Sequence, residues 1–193
     1  AHARAGLGIA RTFQNIRMFE EMTVLETVAA GAHARLTAPF LHCLFALPRA
    51  RAEERAVAAE ARELLAFVGL EERAGERAGD LSYGDQRRLE IARGLASNPR
   101  LLLLDEPAAG MNPHETDDLA RLLRRVRERG VTLLLVEHDM GFVMDLCDRL
   151  TVLNFGRRIA DGTPAEVRSN PVVIEAYLGT KAAARLAARE ARR

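Results

Sequence analysis

Two adjacent carboxylates, Asp105 and Glu106, follow four leucines and precede Pro107. A run of four leucines has the length and texture of a strand buried on both faces. The acids therefore stand at its C-terminal tip, which is where ligands bind in open α/β sheets. Two neighbouring carboxylates repel each other and require a cation or a polar purpose. One can hold a hydrated Mg²⁺ while the next polarises a water, an arrangement that handles phosphate. Asp105 is assigned to Mg²⁺ through water, and Glu106 to orienting and activating the attacking water. A pair that merely ends a strand and caps a turn is the plainer alternative. His138 closes the next apolar run, residues 131–136, directly after Glu137. If the two strands are parallel neighbours, their tips share one edge and His138 comes close to Glu106. There it can donate to a γ-phosphate or to the attacking water.

Two weaker signals accompany these. Leu81-Ser82-Tyr83-Gly84-Asp85 reads as a loop entering a helix, where a serine hydroxyl and free backbone N–H groups can receive a phosphate. By itself that pattern is equally an ordinary helix cap. Gln14, after Phe13, can touch a metal or a water through its amide, but alone it is an unremarkable loop glutamine. The chain contains no Gly-x-x-x-x-Gly-Lys-Ser/Thr phosphate loop, and Lys181 is its only lysine.

The elements that must position these groups follow from pattern. The first twenty residues read as strand and loop. Thr23-x-x-Glu26 is a capping box that starts a helix. Residues 51–67 carry a strong helical pattern stopped by Gly69. Ser82 caps a further helix that ends at Asn98-Pro99, so residues 21–97 are nearly all helical. After Pro99 the texture changes. Residues 101–104 and 131–136 are both continuous apolar runs, the mark of strands buried on both faces, separated by a helix over 115–129, a βαβ unit whose strands should be parallel. A helix over 141–147, a strand over 150–153, a turn at Asn154-Phe155-Gly156 and a strand over 157–160 follow. Thr163-Pro164-Ala165-Glu166 is a second capping box, with proline where its missing N–H costs nothing. Residues 181–193 form a basic Ala/Arg-rich tail, read as a frayed, solvated helix. The expected fold is α/β, a parallel-sheet core with a helical subdomain.

Composition narrows the partners. A net charge of +1, from 28 basic and 27 acidic residues, gives no electrostatic case for nucleic acid. Cys43 and Cys147 are too few and too ill-spaced for a disulfide framework or a zinc site. The longest apolar run, residues 39–47, is broken by His42 and falls well short of the roughly 18–20 residues of a membrane span. Any membrane connection is therefore expected to run through a partner.

Taken in order, these stretches resemble the ATP-binding cassette family of transport ATPases. Gln14 matches the Q-loop, residues 81–85 the signature loop, and residues 101–106 the Walker B strand. Ala109-Gly110-Met111-Asn112-Pro113 matches the D-loop, and His138 the switch histidine. Within the family, residues 11–19, Gln86-Arg87-Arg88-Leu89-Glu90-Ile91-Ala92-Arg93 and Glu106-Pro107-Ala108-Ala109-Gly110 are similar to the ATPases of branched-chain amino-acid importers. Tyr83 stands where the wider family has glycine, and Asp85 where it usually has glutamine, adding a negative charge near the phosphate site.

The resemblance implies a P-loop NTPase-like sheet, with residues 1–193 forming one ATPase domain that contains a helical subdomain at 21–97. It implies ATP and Mg²⁺ as cofactors, with Glu106, His138 and Gln14 catalytic. Ser82, Gly84, Asp85 and Asp105 would bind nucleotide, and Asp105 and Gln14 would serve the Mg²⁺. The implied partners are a second ATPase subunit, in a homo- or heterodimer, and transmembrane permease subunits. A periplasmic or extracellular solute-binding protein would take part indirectly, and nucleic acid would not. The implied location is the cytoplasmic face of the cell membrane, as a peripheral subunit. The Walker A loop and the aromatic residue that stacks on adenine are expected before Ala1. A sheet strand beside residues 101–104 is expected there too, so this chain alone should be inactive. Two alternatives are a non-catalytic module and a cassette ATPase acting on nucleic acid or ribosomes.

Overall fold

The computed structural model describes residues 7–12, 19–37 and 47–178. The chain divides into two compact units, Ala1–His138 and Asp139–Arg193. The first contains β1 (Ile9–Arg11), α1 (Val24–Gly31), α2 (Pro48–Val68), α3 (Tyr83–Leu95), β2 (Leu101–Asp105), α4 (Pro113–Glu128) and β3 (Thr132–Val136). The second contains α5 (Met140–Leu146), β4 (Leu150–Asn154), β5 (Arg157–Gly162), α6 (Pro164–Ser169) and α7 (Pro171–Leu178). Gln14, Cys43 and the tail at 181–193 lie outside the described residues.

Helix boundaries follow capping chemistry. Thr23 accepts from the Glu26 N–H while the Glu26 carboxylate accepts from the Thr23 N–H, the expected capping box of α1. The helix expected over 51–67 begins earlier, because Pro48 occupies its first position with φ already set for a helix. Gly69 ends it at φ 78°, the left-handed conformation that only glycine adopts without strain. The helix expected from residue 115 also starts earlier, with Pro113 in its first turn and Asn112 as cap in a capping box with Glu115.

The sheet of the first unit runs β1-β2-β3, and both pairings are parallel. The register sets Ile9 beside Leu101, Leu102 beside Leu133, and Asp105 beside Val136. This bears out the βαβ reading and corrects the expectation of a further strand beside residues 101–104. Both edges of β2 are already taken, by β1 and β3. The reading of residues 131–136 as buried on both faces also needs correction. Leu102 and Leu104 are sealed, but Leu134 and Val136 are 57% and 60% exposed. One sheet face packs under helices. The other, which carries Arg11, Asp105, Leu134 and Val136, is much less covered.

Helix α3 covers the packed face closely. A Cβ on Gly94 would lie 3.3 Å from Leu102 Cδ1 and 3.9 Å from Ala10 Cβ. On its other side α3 meets α1, where Val24, Val28, Leu89 and Ile91 are fully buried. A Cβ on Gly31 would fall 2.0 Å from the Arg93 carbonyl oxygen and 3.0 Å from Ala96 Cβ, so only glycine allows this approach. Helix α4 joins the packing through Arg125 and its C-cap Arg129, which stack over the Phe67 ring of α2.

In the second unit β4 and β5 form an antiparallel hairpin closed by Phe155 and Gly156 at φ 45° and 75°. Two positive-φ residues give the turn whose twist matches the strands. Thr163 caps α6 in the expected capping box. Among the described residues no helix is long and apolar enough to cross a membrane.

We expect Gly31→Ala to destabilise the protein by about 1–3 kcal/mol, because the added methyl must push α1 off α3. Denaturant unfolding of the complete subunit reads this directly. An unchanged midpoint would show that the two helices are not held at this distance.

Candidate functional site

The parallel register brings the ends of β2 and β3 to one edge. The Glu106 N–H donates to the Val136 carbonyl at 2.8 Å, and Glu106 adopts φ 44°, a left-handed conformation costly for a non-glycine residue. Its carboxylate Oε1 then lies 3.7 Å from His138 Nδ1. The proximity expected from sequence is present. The His138 side chain is 74% exposed and Glu106 30%, so both reach the open edge and stand clear of the core. Asp105 lies beside them, its Oδ2 accepting from Arg11 Nη2 at 3.1 Å across the β1–β2 pairing.

Glu137 is the residue that sequence reasoning passed over. Its side chain is only 1% exposed. Oε1 accepts from the Ala108 N–H at 2.9 Å and Oε2 from the His138 N–H at 3.0 Å. It thus fastens the loop leaving β2 to the end of β3, fixing the backbone on which Glu106 and His138 stand. The available signal was a carboxylate at the end of an apolar strand, the same signal that singled out Asp105.

A second group forms at the N-terminus of α3. Ser82 is its cap, accepting from the Asp85 N–H at 3.2 Å while its hydroxyl donates to Asp85 Oδ2 at 2.9 Å. Gly84 is buried where a Cβ would lie 3.1 Å from Glu115 Oε1. Gly110, at φ 77°, approaches the Tyr83 ring. Residues 81–85 therefore pack against the 109–113 loop and the cap of α4. Asp85 also accepts from Arg73 Nη1 at 2.8 Å, with Arg88 Nη1 at 3.6 Å. Arg73 binds Glu76 as well, and that hydrogen bond holds the Glu76 carboxyl below its ordinary value.

Site residues thus fall into two groups, Asp105, Glu106 and His138 at the strand edge, and Ser82, Gly84 and Asp85 at the head of α3. Gln14 lies outside the described residues. Among the described residues no three His, Cys, Asp or Glu side chains gather as a closed metal cage. Mg²⁺ does not need one, since it keeps several waters and takes one or two carboxylates plus substrate phosphates. A single strand-tip carboxylate, Asp105, fits that requirement.

Comparison with known proteins resolves what such an edge belongs to. The family profile described as ABC transporter matches residues 2–109. The chain belongs to the ABC transporter family. A second profile, branched-chain amino acid ATP-binding cassette transporter, matches residues 157–183 of this ABC chain. The high-affinity branched-chain amino acid transport ATP-binding protein BraF of Pseudomonas aeruginosa is 51% identical, over 92% of this chain and 70% of its own length. LivG of Escherichia coli, of the same description, is 46% identical over 91% and 69%. Among solved structures, the ADP conformation of MJ1267, an ATP-binding cassette of an ABC transporter, superimposes with a TM-score of 0.75 at 34% identity. That match covers 92% of this chain and 71% of MJ1267. As an ABC protein the chain is a nucleotide-binding one, and the α/β fold expected from sequence is the fold of its ABC relatives.

Two substitutions separate chemistry from scaffolding. We expect His138→Ala to lower ATP hydrolysis by the complete subunit on the order of 10²–10³-fold with little change in melting, because it removes an exposed donor. Glu137→Ala should cost about 1–3 kcal/mol of stability, by removing the charged acceptor of the Ala108 and His138 N–H groups. Thermal unfolding and a phosphate-release assay on both variants distinguish them. A destabilised His138→Ala that still hydrolyses ATP normally would make His138 structural.

Proposed function

We propose that this chain is the ATP-hydrolysing part of an importer for branched-chain or related amino acids, as the names of its BraF and LivG relatives imply. The observation that carries the reading is the placement of Glu106 Oε1 3.7 Å from His138 Nδ1 on the edge shared by two parallel strands. Residues 1–193 are read as one cassette domain, with 21–97 as a helical subdomain and 181–193 as a basic tail.

In the proposed reaction Glu106 accepts a hydrogen bond from a water, aligns it with the γ-phosphorus of ATP and takes its proton as the P–O bond forms. His138 donates to the γ-phosphate oxygens, where negative charge builds as the bond to ADP breaks. Asp105 would hold Mg²⁺ through water, with Gln14 as a further contact. The ion would supply charge neutralisation on the β- and γ-phosphates. Arg11 must then share the Asp105 carboxylate or turn aside. The β-phosphate requires a phosphate loop in addition to these 193 residues, whose only lysine is Lys181.

The separation of the site into two groups favours a head-to-tail pair of ATPase subunits, identical or not. Ser82 and Gly84 of one would meet the ATP held at the strand edge of the other. Asp85, next to them, bears on that contact through Ser82. A groove of about 510 Å³ beside β1, lined by Phe19, Ala30, Ala34, Glu90, Arg93 and Ser97, is suited to a permease segment. Phe19 is 54% exposed there, with the Arg93 guanidinium over its ring. Docking of permease subunits would place the protein peripherally on the cytoplasmic face of the membrane, with a solute-binding protein acting from the far side.

Glu106→Gln in the complete subunit tests this. We expect turnover to fall about 10²–10⁴-fold while MgATP still binds, so that the subunit pair persists in ATP. Size-exclusion chromatography in MgATP reads the pair, and phosphate release reads turnover. Unchanged turnover would remove Glu106 as the base.

A further inference from the structure

The carboxylate of Asp85 sets a problem for the proposed nucleotide contact. It stands three residues after Ser82, and the one proton of the Ser82 hydroxyl is already given to its Oδ2 at 2.9 Å. A hydroxyl that donates to Asp85 cannot at the same time donate to a phosphate. A bare carboxylate beside a phosphate also repels it. Something must both release the serine and cancel the charge.

The geometry points to Arg73 as that device, a positioning residue that holds the Asp85 carboxylate so that Ser82 can turn to ATP. Arg73 belongs to the short turn Glu71–Arg73 after α2, outside α3. Its Nη1 donates to the same Oδ2 that Ser82 uses, at 2.8 Å. When the serine hydroxyl rotates away, that oxygen keeps a charged donor, so the switch leaves no carboxylate oxygen stranded. The surrounding charges support the assignment. Arg88 approaches Asp85 Oδ1 only at 3.6 Å and is shared with Asp118, to which its Nη2 donates at 3.1 Å. Arg73 is itself braced by Glu76, which accepts from its Nε and Nη2 at 3.0 and 2.7 Å. His114 and Arg121 face Asp118 and leave Asp85 to Arg73 and Arg88. The Arg73 side chain is 33% exposed and Asp85 23%, so the pair is partly open to solvent. The inference rests on the reading of Ser82 as a nucleotide contact, and gives Asp85 the role of Ser82's resting acceptor in place of a phosphate ligand.

The experiment is steady-state hydrolysis of MgATP by the complete subunit carrying Arg73→Ala, Arg73→Ala with Asp85→Asn, or Ser82→Ala, each with its melting curve. Arg73→Ala is expected to raise KM for MgATP on the order of tenfold with kcat at saturation little changed. Adding Asp85→Asn removes the unbalanced charge and should bring KM back to within about threefold of wild type, while the melting temperature stays at the Arg73→Ala value. A wild-type KM in Arg73→Ala overturns the inference. A double variant no better than Arg73→Ala does so too, since Arg73 would then be only a brace. If Ser82→Ala is impaired while Arg73→Ala is not, the inference fails and the nucleotide reading stands. If Ser82→Ala keeps wild-type KM and kcat, both fall.

Discussion

The parallel pairing of β2 with β3 is the constraint on which the chemistry depends. Because side chains alternate across a sheet, a slip of one residue would turn every side chain of β3 to the opposite face. The observed register, with Asp105 beside Val136, makes both strands stop at the same level. Glu106 is then the first residue beyond the ladder on β2, and His138 the second beyond it on β3. Two contacts lock that arrangement, the Glu106 N–H on the Val136 carbonyl and the buried Glu137 carboxylate on the Ala108 and His138 N–H groups. They also hold Glu106 in a left-handed conformation that costs on the order of 1–3 kcal/mol when unsupported.

A second constraint places the head of α3. The helix is squeezed between the sheet, at Gly94 against Leu102, and α1, at Gly31 against the Arg93 carbonyl. Inside it Arg87 and Glu90 form an ion pair at 2.7 Å with side chains 0% and 1% exposed, and Arg87 Nη2 donates to the Tyr83 hydroxyl at 3.2 Å. Burying a charge pair gains little stability over an apolar pair of similar size, but breaking it by removing one partner is costly. The pair therefore acts as a peg. It ties Tyr83, next to the Ser82 cap, to the helix interior and gives the N-terminus of α3 a defined position.

Much of this was legible in the sequence because it is written in local chemistry. The capping boxes at Thr23 and Thr163, the stop at Gly69 and the Ser82 cap each follow from residues within one turn. The βαβ unit followed from two apolar runs around one amphipathic helix, and parallel pairing then put His138 near Glu106. What escaped depends on distant partners. Which strands flank β2 is a matter of topology, and an apolar run such as residues 131–136 does not say whether both its faces are covered. The roles of Glu137 and Arg73 lie in contacts 29 and 12 residues away along the chain. No short spacing announces them. The early starts of α2 and α4 were within reach, since Pro48 and Pro113 both mark first-turn positions.

The central claim is that Glu106 and His138 act as one catalytic unit because β2 and β3 deliver them to the same edge. A double-mutant cycle on single-turnover ATP hydrolysis by the complete subunit tests it most directly, with Glu106→Gln, His138→Ala and both together. Groups that work on one transition state are strongly non-additive, so the double variant should be scarcely slower than the slower single variant. Losses that multiply, leaving the double variant slower by the product of the two single effects, would show that the residues act independently and would contradict the account.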